Sequence, residues 1–372
     1  MDLSMGGKPN STVRARLMGL LVMSCFCVTG AARSFAADPQ VAGSAAPCAG
    51  AQPQLRTAHK ALDRGDLAEA GRVLTLLQIS HPQCGEIVLG LARLHAAGKD
   101  AIKARELFSH AIELAPQDAR PYYYFAQFCL SQEMYRQADY LSEEAVSRDP
   151  AYPDALMLRA QILAMKRQTT AARELLEKAC KLDPNNAEAH FQLGVLFDGR
   201  QLHPEAVQHF QKVIALRPND PRAYDYLALN LESLGEPKRA EAAYQSGLRV
   251  NEGPFFDSFL DYNNGRFLMK GNRLAESKVY LDRALDLAPE TRAVSYEHGR
   301  LNLRLHKYKE AQVDAERALS RPDLSGFVLD VQVYYLLATI YTRLGDTERA
   351  RKYADLCRTS RIPIQSQGRG DR

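Results

Sequence analysis

Residues 187–220 read AEAHFQLGVLFDGRQLHPEAVQHFQKVIALRPND. Leu193 and Phe197 lie four apart, and Phe210 and Val213 three apart, so two short helical faces are written into this stretch. Gly199 falls between them, where a turn between helices favours a residue tolerant of positive φ. Asn186 precedes the first helix as an N-cap and Pro218 ends the second. The stretch is therefore helix, turn, helix, stop. Working outward, Pro82, Pro116, Pro150, Pro184 and Pro218 each stand 34 residues after the last. With this proline as position 32, units begin at Ala51, Gly85, Ala119, Pro153, Ala187 and Pro221.

Position 20 is Ala70, Ala104, Ala138, Ala172, Ala206 and Ala240. Six alanines in one register imply a close helix crossing, where a methyl fits and a larger group would force the backbones apart. Position 27 reads Ala111, Ala145 and Ala179 and relaxes to Leu77, Val213 and Gly247; position 8 is Ala58, Ala92, Ala126, Ala160, Gly194 and Ala228. Gly65, Gly98 and Gly235 join Gly199 near positions 13 to 15, and Asp118 and Asp220 join Asn186 as caps. Pro153 and Pro221 open helices where proline is tolerated.

This pattern resembles the tetratricopeptide repeat, most clearly in Leu193, Gly194, Phe197, Ala206, Phe210 and Pro218. It departs from that family at position 4: the chain has no tryptophan, and Tyr122, Leu156, His190 and Tyr224 stand there. Beyond Pro218 the register shifts by an insertion near Pro254 to Asp257. A seventh unit from Ser258 holds Gly265, Gly271 and Ala284; an eighth from Arg292 holds Gly299, Ala311, Ala318 and Pro322. A ninth, after a loop near Ser325 to Asp330, holds Leu337, Ala338, Tyr341, Gly345 and Ala350. The resemblance implies an all-α, right-handed superhelical solenoid of antiparallel helix pairs whose first helices line a concave groove. The expected layout is a signal peptide over 1–36, a linker over 37–50, repeats 1 to 6 over 51–254, repeats 7 to 9 over 258–364 and a disordered tail over 365–372. The insertion places an expected hinge near Gly253 and Pro254.

The signal peptide is read from Lys8, Arg14 and Arg16 ahead of the apolar run from Leu17, with cleavage after Ser34-Phe35-Ala36. Two other readings stay open: an uncleaved anchor, although Leu17 to Ala32 is short for a span, and lipidation at Cys25. The expected address is the periplasm or the cell exterior. Export would leave Cys48, Cys84, Cys129, Cys180 and Cys357. Cys48 and Cys84 bracket the first helix pair, whose start and end lie close, so they are either a disulfide closing that end of the stack or two separate loop thiols.

The formal charge of +4 and 25% charged residues do not single out nucleic acid as a partner. No serine-hydrolase elbow, zinc-protease helix or phosphate-binding glycine loop is written in the chain, so neither catalysis, a cofactor nor a metal is expected. The nearest histidines in sequence, His203 and His209, are poorly spaced for a shared metal. The resemblance implies that positions 5 and 9 of the first helices face the groove. Two candidate partner-binding regions follow. The first is Tyr123, Gln127, Met157, Gln161 and Phe191, amides for a peptide backbone among apolar groups for its side chains. The second is an aromatic and basic ladder of Tyr262, Arg266, Lys270, Tyr296, Arg300, Arg304, Tyr335 and Arg343, suited to carboxylates. The lysine and asparagine by which some relatives of this family clamp chaperone tails are absent from positions 5 and 9. Arg64-Gly65-Asp66 and Arg369-Gly370-Asp371 are read as chance tripeptides. The function expected is a non-enzymatic protein-interaction scaffold of the cell envelope, with homodimerisation through terminal repeats left open. The alternative is a glycan- or peptidoglycan-associated carrier or regulator using the tyrosine-rich groove.

Overall fold

The computed structural model describes residues 48, 50–252, 256–322 and 328–360. The expected signal segment, most of the linker, Gly253 and Pro254, the centre of the loop before the ninth unit and the tail from Arg361 lie outside the described residues. Eighteen α-helices and no strand occur among the described residues. They divide between Pro218 and Asn219 into two compact units.

The first unit holds α1 (Gln52–Asp63), α2 (Leu67–Ser80), α3 (Gly85–Ala97), α4 (Ala101–Leu114), α5 (Ala119–Ser131), α6 (Tyr135–Arg148), α7 (Pro153–Met165), α8 (Thr169–Leu182), α9 (Ala187–Gly199) and α10 (His203–Leu216). The second holds α11 (Pro221–Ser233), α12 (Pro237–Arg249), α13 (Leu260–Lys270), α14 (Leu274–Leu287), α15 (Arg292–Arg304), α16 (Tyr308–Ser320), α17 (Asp330–Leu344) and α18 (Thr347–Ser360). In both, consecutive helices pair, and each pair packs on the next. The architecture is an all-α solenoid of tetratricopeptide-like pairs.

The small-residue register is the physical cause of the pairing. All six position-20 alanines are fully buried. A Cβ added at Gly194 would sit 2.7 Å from the ring of fully buried Phe210, so the hydrogen here is what admits the ring. Asp118, Asn186 and Asp220 cap as expected, accepting from the backbone N–H groups of Arg120, Ala189 and Arg222 at 2.9, 3.1 and 3.2 Å.

The turns differ from the glycine expectation. Gly65, Gly235 and Gly345 do take positive φ, of 74°, 74° and 80°. Gly98 and Gly199 do not; the residues one and two places on, Lys99 and Gln201, turn left-handed instead, as do Glu133, Arg167, Asn272 and His306. Every one of the nine turns thus reverses at position 15, and six do so without glycine. At position 4, Tyr122 and His190 reach back to the carbonyl oxygens of Pro116 and Pro184, at 3.3 and 3.2 Å. These two side chains therefore tie their helices to the preceding proline turns.

Across the insertion, Asn251 Nδ2 donates to the Asp257 carbonyl at 2.9 Å and the Asp257 N–H donates to Asn251 Oδ1 at 2.7 Å. These bonds hold the two sides of the inserted residues together, and the compact units divide upstream of it. At the start of the first unit the Cys48 and Cys84 sulfurs are bonded at 1.99 Å, with Cα atoms 5.1 Å apart.

Candidate partner-binding surface

In the first unit the expected strip lies on α5, α7 and α9, but only part of it is open. Met157, Gln161 and Phe191 are buried, Phe191 with its ring edge-on to Phe210 at 5.8 Å. Positions 5 and 9 face the neighbouring first helices as much as the groove, which is why these side chains are covered. Tyr123 and Gln127 remain half-buried. Tyr123 is held edge-on between Tyr124 and Tyr152 at 4.9 and 5.2 Å, so its ring is fixed before any partner arrives.

Beside them stands a charged cluster that the sequence reading did not single out. The Arg93 guanidinium lies 4.3 Å over the Tyr124 ring and donates to Asp63 at 2.9 Å and to His59 at 3.1 Å. Glu86 accepts from Arg120 at 3.2 Å and from Gln52 at 3.1 Å. Burial, then the charge of Arg93, lowers the His59 pKa, so this imidazole is neutral near pH 7. The legible signal was periodic: His59 and Arg93 share position 9, Gln52, Glu86 and Arg120 share position 2, and each is 34 residues from the next.

The ladder of the second unit is largely engaged with its own protein. Lys270 donates to Glu232 at 2.8 Å. Arg300 donates to both oxygens of Glu297 at 2.9 and 2.8 Å and lies 5.8 Å from the Tyr296 ring. Arg304 reaches the Met269 carbonyl at 2.5 Å and Asn272 at 2.7 Å. Tyr262 is buried, Arg266 and Tyr296 are half-buried, and only Tyr335 and Arg343 at the end of the ladder are exposed alongside Lys270, Arg300 and Arg304. Burial alone would lower the Arg266 pKa, but Tyr262, Tyr244, Glu232 and Glu297 around it hold it above the ordinary value. Glu232 and Glu297 were missed because an acid in a row of tyrosines and arginines looks like a solvated exception; both are nearly buried.

The histidine brought to His209 is His190, Nδ1 to Nδ1 at 3.1 Å. His190 Nε2 donates to the Pro184 carbonyl, so its Nδ1 carries the lone pair that His209 meets as donor. Burial, then His190, pushes the His209 pKa down to about 4. Among the described residues no group of three or more His, Cys, Asp or Glu is arranged to hold a metal ion, and no helix is long and apolar enough to cross a membrane.

Family models described as tetratricopeptide or TPR repeat match residues 55–119, 166–198 and 331–357. By sequence the chain is similar to human protein O-mannosyl-transferase TMTC3, 25% identical over 227 residues, covering 58% of this chain and 25% of that protein. It is 24% identical to bovine BBSome complex member BBS4 over 298 residues, 77% of this chain and 54% of the relative. The chain thus spans about half the length, or less, of these relatives. In fold it is similar to the crystal structure of the APC/C hetero-tetramer Cut9-Hcn1, with a TM-score of 0.58 at 15% identity, covering 72% of this chain and 52% of that one. The 34-residue register, the buried position-20 alanines and the three matched segments together make this chain a tetratricopeptide repeat protein.

Proposed function

We propose that this protein is a non-enzymatic interaction scaffold, exported to the cell envelope, that holds an extended segment of a partner protein against the first helices of its first unit. The observation that carries the reading is the fixed Tyr123 ring beside half-buried Gln127, with Arg93, Tyr124 and Tyr152 locked around them. Aromatic anchors held in place lose little side-chain entropy on binding, and an amide can donate to and accept from a peptide backbone. TMTC3 is a transferase by name, but this chain covers only a quarter of it, and that activity is not carried over. The second-unit ladder is a weaker candidate, because its cations already have acceptors. The glycan reading loses support for a related reason: Tyr262 is buried and offers no face for a sugar.

The test is a crosslinking pull-down from native envelope extract, using protein beginning at Ala37 as bait beside Tyr123→Ala/Gln127→Ala and Arg266→Glu/Arg300→Glu variants. The expected result is a specific partner lost with the first variant and retained by the second. A partner lost only with the ladder variant would move the site to the second unit, and turnover of any substrate by the purified protein would end the scaffold reading. Fractionation with N-terminal sequencing checks export: the mature chain should begin at Ala37 outside the cytoplasm.

A further inference from the structure

In each of the first eight helix pairs the side chain at position 24, on the second helix, is at most 3% exposed; Leu74, Phe108, Tyr244, Leu281 and Ala315 are examples. Where ring contacts show the cover, it is the next first helix of the same unit. Phe108 packs on Phe125 and Phe128 of α5 at 5.2 and 5.6 Å, and Tyr244 on Phe267 of α13 at 5.5 Å. In the ninth pair this position is Ala354, and it is exposed. Position 20, fully buried from Ala70 to Ala311, is half-buried at Ala350. A groove runs between α17 and α18 over Tyr335, Ala338, Ala350, Ala354 and Cys357. Its threonine hydroxyls are engaged within α17: Thr339 donates to the Tyr335 carbonyl at 2.9 Å and Thr342 to that of Ala338 at 2.8 Å. The floor is thus a small-residue, apolar seat shaped by the same register that elsewhere receives a helix.

The rim identifies the occupant. Arg351 and Arg358 line the groove and Arg343 lies on the same helix as Tyr335, all three exposed. Arg358 leans on Asp355, while Arg343 and Arg351 have no ion-pair partner among the described residues. Along α18 four basic residues, Arg349, Arg351, Lys352 and Arg358, face two acids, Glu348 and Asp355. A second copy docking end to end would set like charges together. A head-to-tail copy would present α1, which carries Arg56 and Lys60 against Asp63 and is not acidic either. We propose that the α17–α18 groove is a docking site for an acidic amphipathic helix of another protein, of the 11–15 residues spanned by this chain's own first helices, seated as a tenth first helix. This site is separate from the strip around Tyr123, and neither depends on the other.

The probe is a synthetic peptide with the 330–344 sequence of α17, the helix seated on the eighth pair, with three of its exposed positions changed by Gln332→Glu, Thr342→Glu and Arg343→Glu; a control carries lysine at the same three positions. Fluorescence anisotropy with the full chain is expected to show saturable binding of the acidic peptide, and at least about tenfold weaker binding of the lysine one, a difference of about 1.4 kcal/mol. Ala354→Arg, which fills the seat, should weaken the acidic peptide by about tenfold or more. Arg351→Glu with Arg358→Glu should invert the preference between the peptides while circular dichroism shows both variants folded. Equal binding of the two peptides, no saturable binding of either, or insensitivity to Ala354→Arg overturns the proposal. So does sedimentation showing a dimer of the wild type that Ala354→Arg makes monomeric, since a second copy would then occupy the seat.

Discussion

His298 on α15 sits between two carboxylates from neighbouring helices, with Nε2 2.9 Å from Asp282 of α14 and Nδ1 2.7 Å from Asp314 of α16. Burial by itself would lower its pKa; hydrogen bonds and charges from Asp314 and Asp282 outweigh that and hold it above the ordinary imidazole value. A group whose folded pKa is raised stabilises fully below its unfolded pKa, near 6.5, and loses that contribution as pH rises through the folded value. Replacing it, as in His298→Gln, removes two charge-assisted hydrogen bonds, each typically about 1.5–3 kcal/mol where buried. Asp282 is 41% exposed and keeps Lys278, so its bond contributes little. Asp314 is only 6% exposed but retains Arg317 at 3.1 Å and Asn302 at 2.8 Å. The expected loss is therefore about 2 kcal/mol at pH 6, shrinking below about 1 kcal/mol by pH 9, where the neutral ring still donates one bond. Urea unfolding of wild type and variant from pH 6 to 9 measures the gap. Hydrogen exchange of α14 to α16 localises it, since repeat proteins lose stability regionally. If the gap between the two proteins is the same at every pH, or widens upward, the ion-bridge account is refuted.

At the turns, Gly65→Ala is expected to cost about 1 kcal/mol from backbone conformation alone, because φ is 74° and an added Cβ meets nothing within 4 Å. Lys99→Gly, at φ 62°, should instead stabilise by about 0.5 kcal/mol; thermal melts distinguish the two signs. Where Cys48 and Cys84 are bonded, Cys48→Ser/Cys84→Ser should lower stability by about 2–4 kcal/mol in non-reducing buffer and by nothing measurable in reductant. Thiol alkylation of the folded wild type should label neither cysteine until reductant is added.

The fold was legible because its cause is a steric rule repeated along the chain. Only a small residue fits at the crossing, so Ala70 to Ala240 and the prolines every 34 residues stand out without any knowledge of contacts. The turn position was harder to read. Lys99, Glu133 and Arg167 adopt a glycine's conformation because the helices on either side impose it, and composition carries no trace of that. The surface was legible only as far as direction. Positions 5 and 9 do gather along the first helices, yet Met157 and Phe191 are covered by neighbours, and Lys270 and Arg300 are neutralised by acids. Whether a side chain on such a face is free depends on what the adjoining repeats bring against it, a three-dimensional fact that one register position does not encode.

The contacts between His59 and Arg93, Glu86 and Arg120, and Gln52 and Glu86 all join residues 34 apart. For this chain, then, distance along the sequence has two scales: four residues make a neighbour on one helix, and thirty-four make a neighbour on the next. A duplication or loss of one whole unit in the course of evolution carries donors and acceptors in step and leaves the interrepeat pairs able to re-form. A shift of a few residues within a helix turns its side chains away from those partners, whereas the insertion ahead of α13 falls between helices and leaves Lys270 on Glu232, 38 residues back. Such a protein can change its length in quanta while its surface chemistry stays in register, so the inheritable unit here is the repeat interface more than the repeat itself.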